Sequence, residues 1–325
     1  MGVLSRATRG GVGAVIGIGL AAFALSAGWV SGSIYDGRAS TQVCVVDCSS
    51  SALGASIRPA IVQAAPAARP TATAPEPDDL PFISARYIAA IEGACGALIF
   101  GREANGRFPP ASLTKLMTAA VATDQADIDT MITSDVDGMA LYDETGSTVM
   151  GLKPGMELSL LDLLYGLLLP SGNDAAIAIA KGISGREEAF VTLMNEKAKS
   201  LALNDTNFTN VHGLYEEGLY SSAYDMAILA RYVMQNADLR RIVSTLSWQP
   251  QWDGPEVWNG NAFLTKYEGA DGVKIGFTEE SKQTIVASAT RGERQIIASL
   301  MSSDDRYTDA ERLLDWAFEQ PSSCP

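Results

Sequence analysis

The chain has 325 residues, of which 47% are hydrophobic, so it can bury the core of one large domain or of two small ones. Its formal net charge is −14, and no run of lysines or arginines interrupts the acidic balance, which argues against nucleic acid as a partner. One histidine and four scattered cysteines argue against a metal centre held by the protein. We therefore expect neither a metal nor a cofactor.

The N-terminus carries the pattern of a membrane segment. Arg6 and Arg9 precede residues 11–30, which contain no charged side chain and are about as long as a bilayer-spanning helix. The two arginines favour a cytoplasmic N-terminus, with the rest of the chain exported. We expect residues 1–30 to be a membrane anchor, and the alternative is a signal peptide that is cleaved.

Residues 31–81 are rich in Ala, Pro, Ser and Thr and cannot bury enough apolar surface to fold, so we expect a flexible tether. The tether contains Cys44 and Cys48, and the other two cysteines are Cys95 and Cys324. Outside the cytoplasm, one disulfide could form within the tether and a second within the remaining chain. Four cysteines allow three connectivities, and the sequence does not choose among them.

The folded domain is predicted to span residues 82–325. Its first half combines a short helix, a buried strand, a tight turn at Asn105-Gly106 and a second helix with a proline-rich approach. These elements are a helix over 84–91, a strand over 97–100, a helix from Ser112 to about Thr123, and loops with small hairpins over 130–157.

In the second half, helical spacing and capping residues give way to strand patterns near the C-terminus. The predicted helices cover residues 160–169, 174–181, 187–201 and 223–235, and a last helix follows Asp304 or Asp305. The predicted strands cover residues 272–277, 284–290 and 295–301. An early strand and these late strands bracket a helical middle. This order predicts an α+β fold: a mostly antiparallel sheet flanked by helices, with a helical subdomain.

A serine and a lysine near the start of a predicted helix carry the first chemical signal. Ser112 and Lys115 are three residues apart, so on a helix they share one face, close to the N–H groups of the first turn. A hydroxyl beside an amine that can accept its proton meets the basic requirement for a serine nucleophile without histidine. Alone, the Ser-x-x-Lys pattern is weak evidence, because a chain of this length contains it by chance.

Two further motifs follow in a fixed order. Ser171 and Asn173 come directly after the predicted end of a helix, and Lys274 and Gly276 lie on a predicted strand. Together with the Ser-x-x-Lys pair, they correspond to the motifs of penicillin-binding proteins and class A β-lactamases. Over about residues 82–319, the chain resembles the serine-type D-Ala-D-Ala carboxypeptidases of the low-molecular-mass penicillin-binding class, peptidase family S11, with a β-lactamase/transpeptidase-like fold.

The resemblance implies a role for each of the reactive side chains. Ser112 is expected to attack the carbonyl of the penultimate D-Ala, and Lys115 is expected to act as its general base. Ser171 and Lys274 are expected to relay a proton to the departing D-Ala. Water then hydrolyses the acyl-enzyme.

The remaining roles concern binding. The resemblance implies that Asn173 hydrogen-bonds the substrate amide and that Thr278 contacts the substrate. The N–H of Ser112 and a strand N–H just after Gly276 are expected to form the oxyanion hole. The implied ligands are peptidoglycan stem peptides and β-lactams, which places the protein in a bacterial cell envelope outside the cytoplasm. The sequence does not determine the oligomeric state.

Two departures from the family pattern concern substrate binding rather than the nucleophile. The family has Lys-Thr-Gly where this chain has Ile275, so a hydroxyl that would bind the terminal carboxylate of the substrate is missing. An arginine that the family commonly places near residues 259–261 is also absent, and Lys282 is a candidate to replace its charge. We therefore expect slow turnover or an altered specificity.

Two alternative functions share this fold. One is a catalytically silent wall-binding or penicillin-sensing module. The other is a β-lactamase, whose usual Glu-x-x-Leu-Asn motif is absent because Ser200 precedes Leu203-Asn204. The single histidine, His212, is predicted to be structural, since the chain has no Gly-x-Ser-x-Gly elbow. Asp174 is predicted to form local hydrogen bonds.

Overall fold

The computed structural model of the protein describes residues 76–251 and 254–324. The predicted anchor and most of the predicted tether, with Cys44 and Cys48, lie outside the described residues. Within the two described ranges, no helix combines the length and the apolar character needed to cross a bilayer.

Short and long strands alternate with helices along the described chain. The strands are β1 (Tyr87–Glu92), β2 (Leu98–Arg102), β3 (Met131–Thr133), β4 (Glu157–Ser159), β5 (Ser247–Trp248), β6 (Val257–Trp258), β7 (Ala270–Thr278), β8 (Lys282–Arg291) and β9 (Arg294–Ser303). The helices are α1 (Lys115–Gln125), α2 (Gly138–Thr145), α3 (Leu160–Leu168), α4 (Asn173–Ser184), α5 (Glu187–Ser200), α6 (Ala223–Gln235), α7 (Ala237–Ser244), α8 (Phe263–Lys266) and α9 (Arg306–Glu319).

The main sheet has five antiparallel strands in the order β2-β1-β9-β8-β7. This order places the N-terminal hairpin beside the C-terminal strands and leaves β7 at an edge. β3 pairs with β4, and β5 pairs with β6, in two small antiparallel sheets. The three strands predicted near the C-terminus are present, and each extends further than predicted.

Strand β1 shows that the prediction of a helix over residues 84–91 is wrong. Every residue of β1 is buried, and the strand lies between β2 and β9. A strand covered on both faces has no alternation of apolar and polar residues. Its sequence therefore cannot be told from a short buried stretch of helix.

The helices predicted in the middle of the chain are present, and the side chains of Ser159 and Ser222 cap α3 and α6. Three short helices, α2, α7 and α8, were not predicted. Helix α2 replaces part of the loops expected over residues 130–157. Because Gly138 is its one buried residue, α2 lacks the apolar stripe by which a helix is predicted from sequence.

The sheet separates two hydrophobic cores. On one face it packs against a helical layer centred on α1, in which every residue from Lys115 to Thr123 is buried. On the other face it packs against α9 through Leu313 and Leu314. This arrangement confirms the predicted α+β fold. It also places the turn that leads into α1, Ala111–Thr114, against the edge strand β7.

One disulfide closes the described fold. Cys95 lies in the turn between β1 and β2, and it is bonded to Cys324, which follows α9. The structure therefore selects the Cys95–Cys324 pairing from the connectivities that the sequence left open.

Candidate active site

Ser112 lies on a 3-10 turn, Ala111–Thr114, that leads directly into α1. The sequence predicted an α-helix from this serine, and the structure corrects its first turn. In a 3-10 turn the side chains at positions i and i+3 eclipse each other, which brings Ser112 and Lys115 together. The Nζ of Lys115 donates a hydrogen bond to the Oγ of Ser112 at 3.1 Å.

The side chain of Lys115 is completely buried. Its Nζ also donates to the backbone carbonyl of His212 at 2.7 Å. Burial holds the pKa of Lys115 well below its ordinary value, and the nearby charge of Lys274 lowers it further. A lysine with such a depressed pKa carries a free amine more readily at neutral pH, so it can accept the proton of a serine hydroxyl.

The loop between α3 and α4 carries Ser171, whose backbone is left-handed with a φ of 69°. The carbonyl of Ser171 accepts a hydrogen bond from the Oγ1 of Thr148 at 2.8 Å. The Ser171 hydroxyl is buried and has no hydrogen-bond partner among the described residues. Backbone strain and an unpartnered buried hydroxyl are both typical of functional positions. Asn173 begins α4 and is buried in the same wall.

A buried carboxylate organises the start of α4. The side chain of Asp174 has no exposed surface. It accepts hydrogen bonds from four backbone N–H groups, at 2.8 to 2.9 Å, those of Met150, Gly151, Leu152 and Ala175. These bonds join a turn of the loop between α2 and β4 to the start of α4, so Asp174 has the local hydrogen-bonding role that the sequence predicted.

The opposite wall is the edge strand β7, which carries Lys274. This lysine is buried, and its Nζ donates to the carbonyl of Ile275 at 3.1 Å. Burial lowers the pKa of Lys274 to about 7, and the charge of Arg306 acts in the same direction. Lys274 can therefore hold or release a proton near neutral pH.

Gly276 lets β7 approach the turn that carries Ser112. A Cβ atom at Gly276 would lie 2.9 Å from the backbone N of Ser112 and 2.6 Å from the Oγ1 of Thr284. Any side chain at this position would crowd the N–H of Ser112, so glycine keeps that donor accessible. An accessible N–H beside the serine hydroxyl is what an oxyanion hole requires.

The loop through His212 supports Lys115. Gly213 has a φ of 91°, and a Cβ there would lie only 2.0 Å from the carbonyl O of Ala111. The Nδ1 of His212 accepts a hydrogen bond from the N–H of Leu214 at 3.2 Å. Burial lowers the pKa of His212 to about 3. The imidazole therefore stays neutral and holds the loop, in agreement with the structural role predicted for it.

The walls enclose a cleft of about 640 Å³. Lys115 is buried against Ser112 rather than exposed in the cleft. The other predicted site residues all line the cleft: Ser112, Ser171, Asn173, Lys274, Gly276 and Thr278. The structure thus brings together residues that the sequence separates by more than 150 positions.

Arg306 is a cleft residue that the sequence prediction missed. It begins α9, and its Nη1 donates to the carbonyls of Gly276 and Thr284 at 2.7 and 3.2 Å. Because it follows the helix cap Asp305, its pattern is that of an ordinary first-turn residue, and no local signal marks it. Lys282, the candidate to supply a charge to the site, is exposed and does not line the cleft.

Leu203 and Asn204, the remnant of a β-lactamase motif, follow α5 and do not line the cleft. No group of three or more His, Cys, Asp or Glu residues in the described part of the chain is placed to hold a metal ion. The described cleft presents a serine hydroxyl with a buried lysine amine beside it.

Comparison with known proteins agrees with this geometry. The family model of D-alanyl-D-alanine carboxypeptidase, peptidase S11, matches residues 71–305. The carboxypeptidase DacF of Bacillus subtilis is 36% identical over 248 residues, and DacC of Escherichia coli is 34% identical over 267 residues. These matches cover 74% and 77% of this chain, but 64% and 65% of the two relatives.

Solved structures share the fold. The crystal structure of the Streptomyces K15 DD-transpeptidase is similar with a TM-score of 0.70 at 29% identity, covering 74% of this chain and 99% of that one. The D-alanyl-D-alanine carboxypeptidase of Mycobacterium tuberculosis H37Rv is similar with a TM-score of 0.69 at 30% identity, covering 78% and 97%. The chain therefore belongs to the peptidase S11 family of D-alanyl-D-alanine carboxypeptidases.

Proposed function

We propose that the protein is a serine-type D-alanyl-D-alanine carboxypeptidase that removes the terminal D-Ala from peptidoglycan stem peptides and binds β-lactams. The observation that carries the proposal is the 3.1 Å contact between the hydroxyl of Ser112 and the amine of the buried Lys115. The activity by which the compared relatives are named supports it.

In the first step, Lys115 takes the proton of Ser112 as the serine oxygen attacks the carbonyl of the penultimate D-Ala. The carbonyl oxygen of the resulting tetrahedral intermediate is negatively charged. The Ser112 N–H, which Gly276 leaves accessible, and a strand N–H after Gly276 stabilise that charge. In this proposal, the base and one oxyanion donor lie within four residues of each other in the sequence.

In the second step, the C–N bond breaks and the departing D-Ala takes up a proton. The unpartnered hydroxyl of Ser171 and the protonated form of Lys274 are suited to deliver it, and the proton that Lys115 took from Ser112 replaces the one they give up. Asn173 and Thr278 line the cleft where the substrate backbone would lie, and Arg306 adds a positive charge for its terminal carboxylate. Water then hydrolyses the ester on Ser112 and releases the shortened peptide.

Labelled penicillin tests the nucleophile. Intact-mass measurement should show one adduct on the wild-type protein and none on Ser112→Ala. Ser184→Ala, which changes a serine outside the cleft, is the matched control and should take the same label as the wild type. An adduct that persists on Ser112→Ala would disprove the assignment.

The same experiment separates the alternatives. A stable adduct together with release of D-Ala from a stem-peptide mimic supports a carboxypeptidase. Rapid turnover of penicillin would instead indicate a β-lactamase, and a wild-type protein without an adduct would indicate a silent module.

We further propose that the domain acts outside the cytoplasmic membrane and is held there by residues 1–30 through the tether of residues 31–81. The uncharged segment over residues 11–30 and the location of the proposed substrate support this. Removal of residues 1–30 should release the protein from membranes in a fractionation assay without loss of penicillin labelling. Membrane association that survives the deletion would contradict the proposal.

A further inference from the structure

One end of the cleft is suited to hold the residue that leaves in the reaction. Lys274 and Arg306 are the two basic side chains among the described residues that line the cleft. A terminal carboxylate is attracted to this end, because charge-assisted hydrogen bonds from lysine and arginine are the strongest that a carboxylate accepts. On the proposed function, the leaving residue would lie along β7, next to these two cations.

Both cations already have partners in the protein. Lys274 donates to the carbonyl of Ile275. Arg306 donates through Nη1 to two backbone carbonyls, and its Nε donates to the Oε1 of Gln283 at 2.9 Å. Burial also brings the pKa of Lys274 down to about 7, so its charge is partly lost at neutral pH. Part of the hydrogen-bond donor capacity at this end is thus already used within the protein.

The residue between the lysine and the glycine of the strand motif is Ile275, which also lines the cleft. Its Cδ1 lies 3.8 Å from the position of a Cβ on Gly260, which lines the cleft as well. The side chain is partly buried and packs against the core on the α9 face of the sheet. Isoleucine has no hydrogen-bond donor, whereas a threonine at the same place would present a hydroxyl.

We propose that Ile275 makes this cleft tolerant of leaving residues whose carboxyl group is uncharged, such as D-alaninamide. The inference rests on the proposed function, because it concerns the leaving residue of that reaction. A carboxylate that is partly withdrawn from water and lacks one donor loses about ten- to a hundredfold in kcat/KM. An amide has no charge to desolvate. Its free energy of desolvation against the apolar side chain of Ile275 is therefore smaller than that of a carboxylate.

The test compares two substrates that differ only at the terminal group. Peptide mimics ending in D-Ala-D-Ala and in D-Ala-D-alaninamide are hydrolysed by the full-length protein, and the ratio of their kcat/KM values is measured. Ile275→Thr should raise the acid-to-amide ratio by about ten- to a hundredfold, because it restores the missing donor. Ile275→Val is the matched control, since valine has nearly the shape of threonine without the hydroxyl. Its ratio should stay within about threefold of the wild type.

Penicillin labelling carried to completion separates this inference from the proposed function. Full labelling of the wild type and of both variants shows that Ser112 is reactive and that the variants are folded. If labelling is full and the threonine and valine variants give the same ratio, the inference is wrong while the proposed function stands. A wild-type protein that takes no label would contradict both the proposed function and the inference about Ile275.

Discussion

At the scale of single residues, the site depends on two lysines that have been taken out of water. Neither Lys115 nor Lys274 has a carboxylate as a hydrogen-bond partner among the described residues, and both donate to backbone carbonyls. Burial without a paired counter-ion penalises the charged form, so the pKa of each is lowered. The same burial that destabilises an ammonium group favours the free amine that the proposed reaction needs.

This burial predicts how stability depends on pH. The pKa of Lys274 is about 7 in the folded protein, whereas an unfolded lysine stays protonated to about pH 10.5. Between these values the unfolded state binds one more proton, so the free energy of unfolding should rise with pH. The contribution of this lysine from about pH 8 to 9 is about 1.4 kcal/mol per pH unit. Urea unfolding of the wild type and of Lys274→Met measures it.

Methionine keeps most of the volume of the lysine side chain and cannot titrate. The rise with pH should therefore be shallower in Lys274→Met by one proton, while the part contributed by Lys115 remains. Equal slopes in the two proteins would show that Lys274 keeps its charge when folded.

At the scale of elements, one buried carboxylate joins the start of α4 to the loop between α2 and β4. Asp174 accepts all four of its hydrogen bonds from backbone N–H groups, and three of these belong to a single turn of that loop. The same loop carries Thr148, which donates to the carbonyl of Ser171. A Cβ on Gly172 would lie 2.8 Å from its Oδ1 and a Cβ on Gly138 would lie 2.4 Å from its Oδ2, so the carboxylate is closely packed on both sides. Asp174 is thus a positioning residue for the wall that carries Ser171.

Asp174→Asn should weaken the hydrogen bonds that position the side of the cleft with Ser171. One oxygen becomes an NH₂ group that faces backbone donors, which leaves two N–H groups unsatisfied and destabilises the fold by about 2–5 kcal/mol. The rate of penicillin acylation should also fall, because the Ser171 loop loses its support. The urea midpoint and the acylation rate are the two measurements.

The matched control is Asp137→Asn. Asp137 is an exposed cap of α2 that accepts hydrogen bonds from the N–H groups of Met139 and Ala140. Asparagine caps helices about as well as aspartate, so a change below about 0.5 kcal/mol is expected. If both asparagine variants behave alike, the role assigned to Asp174 is wrong.

At the scale of the whole folded unit, the first hairpin and the last residues are joined. The Cys95–Cys324 disulfide spans 229 positions of sequence. Beside it, Arg294 donates to the buried carboxylate of Glu92 at 2.7 Å and to the carbonyl of Gln320. Burial opposes ionisation of Glu92, but its hydrogen bonds with Arg294 and with the chain near Ser323 hold its pKa below the ordinary value. These contacts tie the chain after α9 to β1.

Removal of the disulfide should lower stability without affecting the site. In the double variant Cys95→Ser and Cys324→Ser, the free energy of unfolding should fall by about 2–4 kcal/mol, because the unfolded chain regains the freedom that the bridge removes. Penicillin labelling should be unchanged, since neither cysteine lines the cleft. A loss of labelling in folded protein would show that the bridge also shapes the site.

The sequence by itself determined the order of the reactive motifs, most helices and the three late strands. These features are local, because each of their signals lies within ten or twenty residues of sequence. The signals are capping serines, helical spacing, a proline that ends a helix and the alternation of apolar residues in strands. The Ser-x-x-Lys pair, Ser171 and Asn173, and the lysine-glycine strand could therefore be assigned to one site through the family resemblance.

Only the tertiary structure decided the features that depend on distant neighbours. β1 is a strand because β2 and β9 pair with it on both sides, although its own residues fit a helix equally well. Arg306 enters the cleft because α9 begins beside β7, a contact between segments about 30 residues apart. The pKa of Lys274 and the partner of Cys95 likewise follow from burial and proximity in space, which no local pattern records.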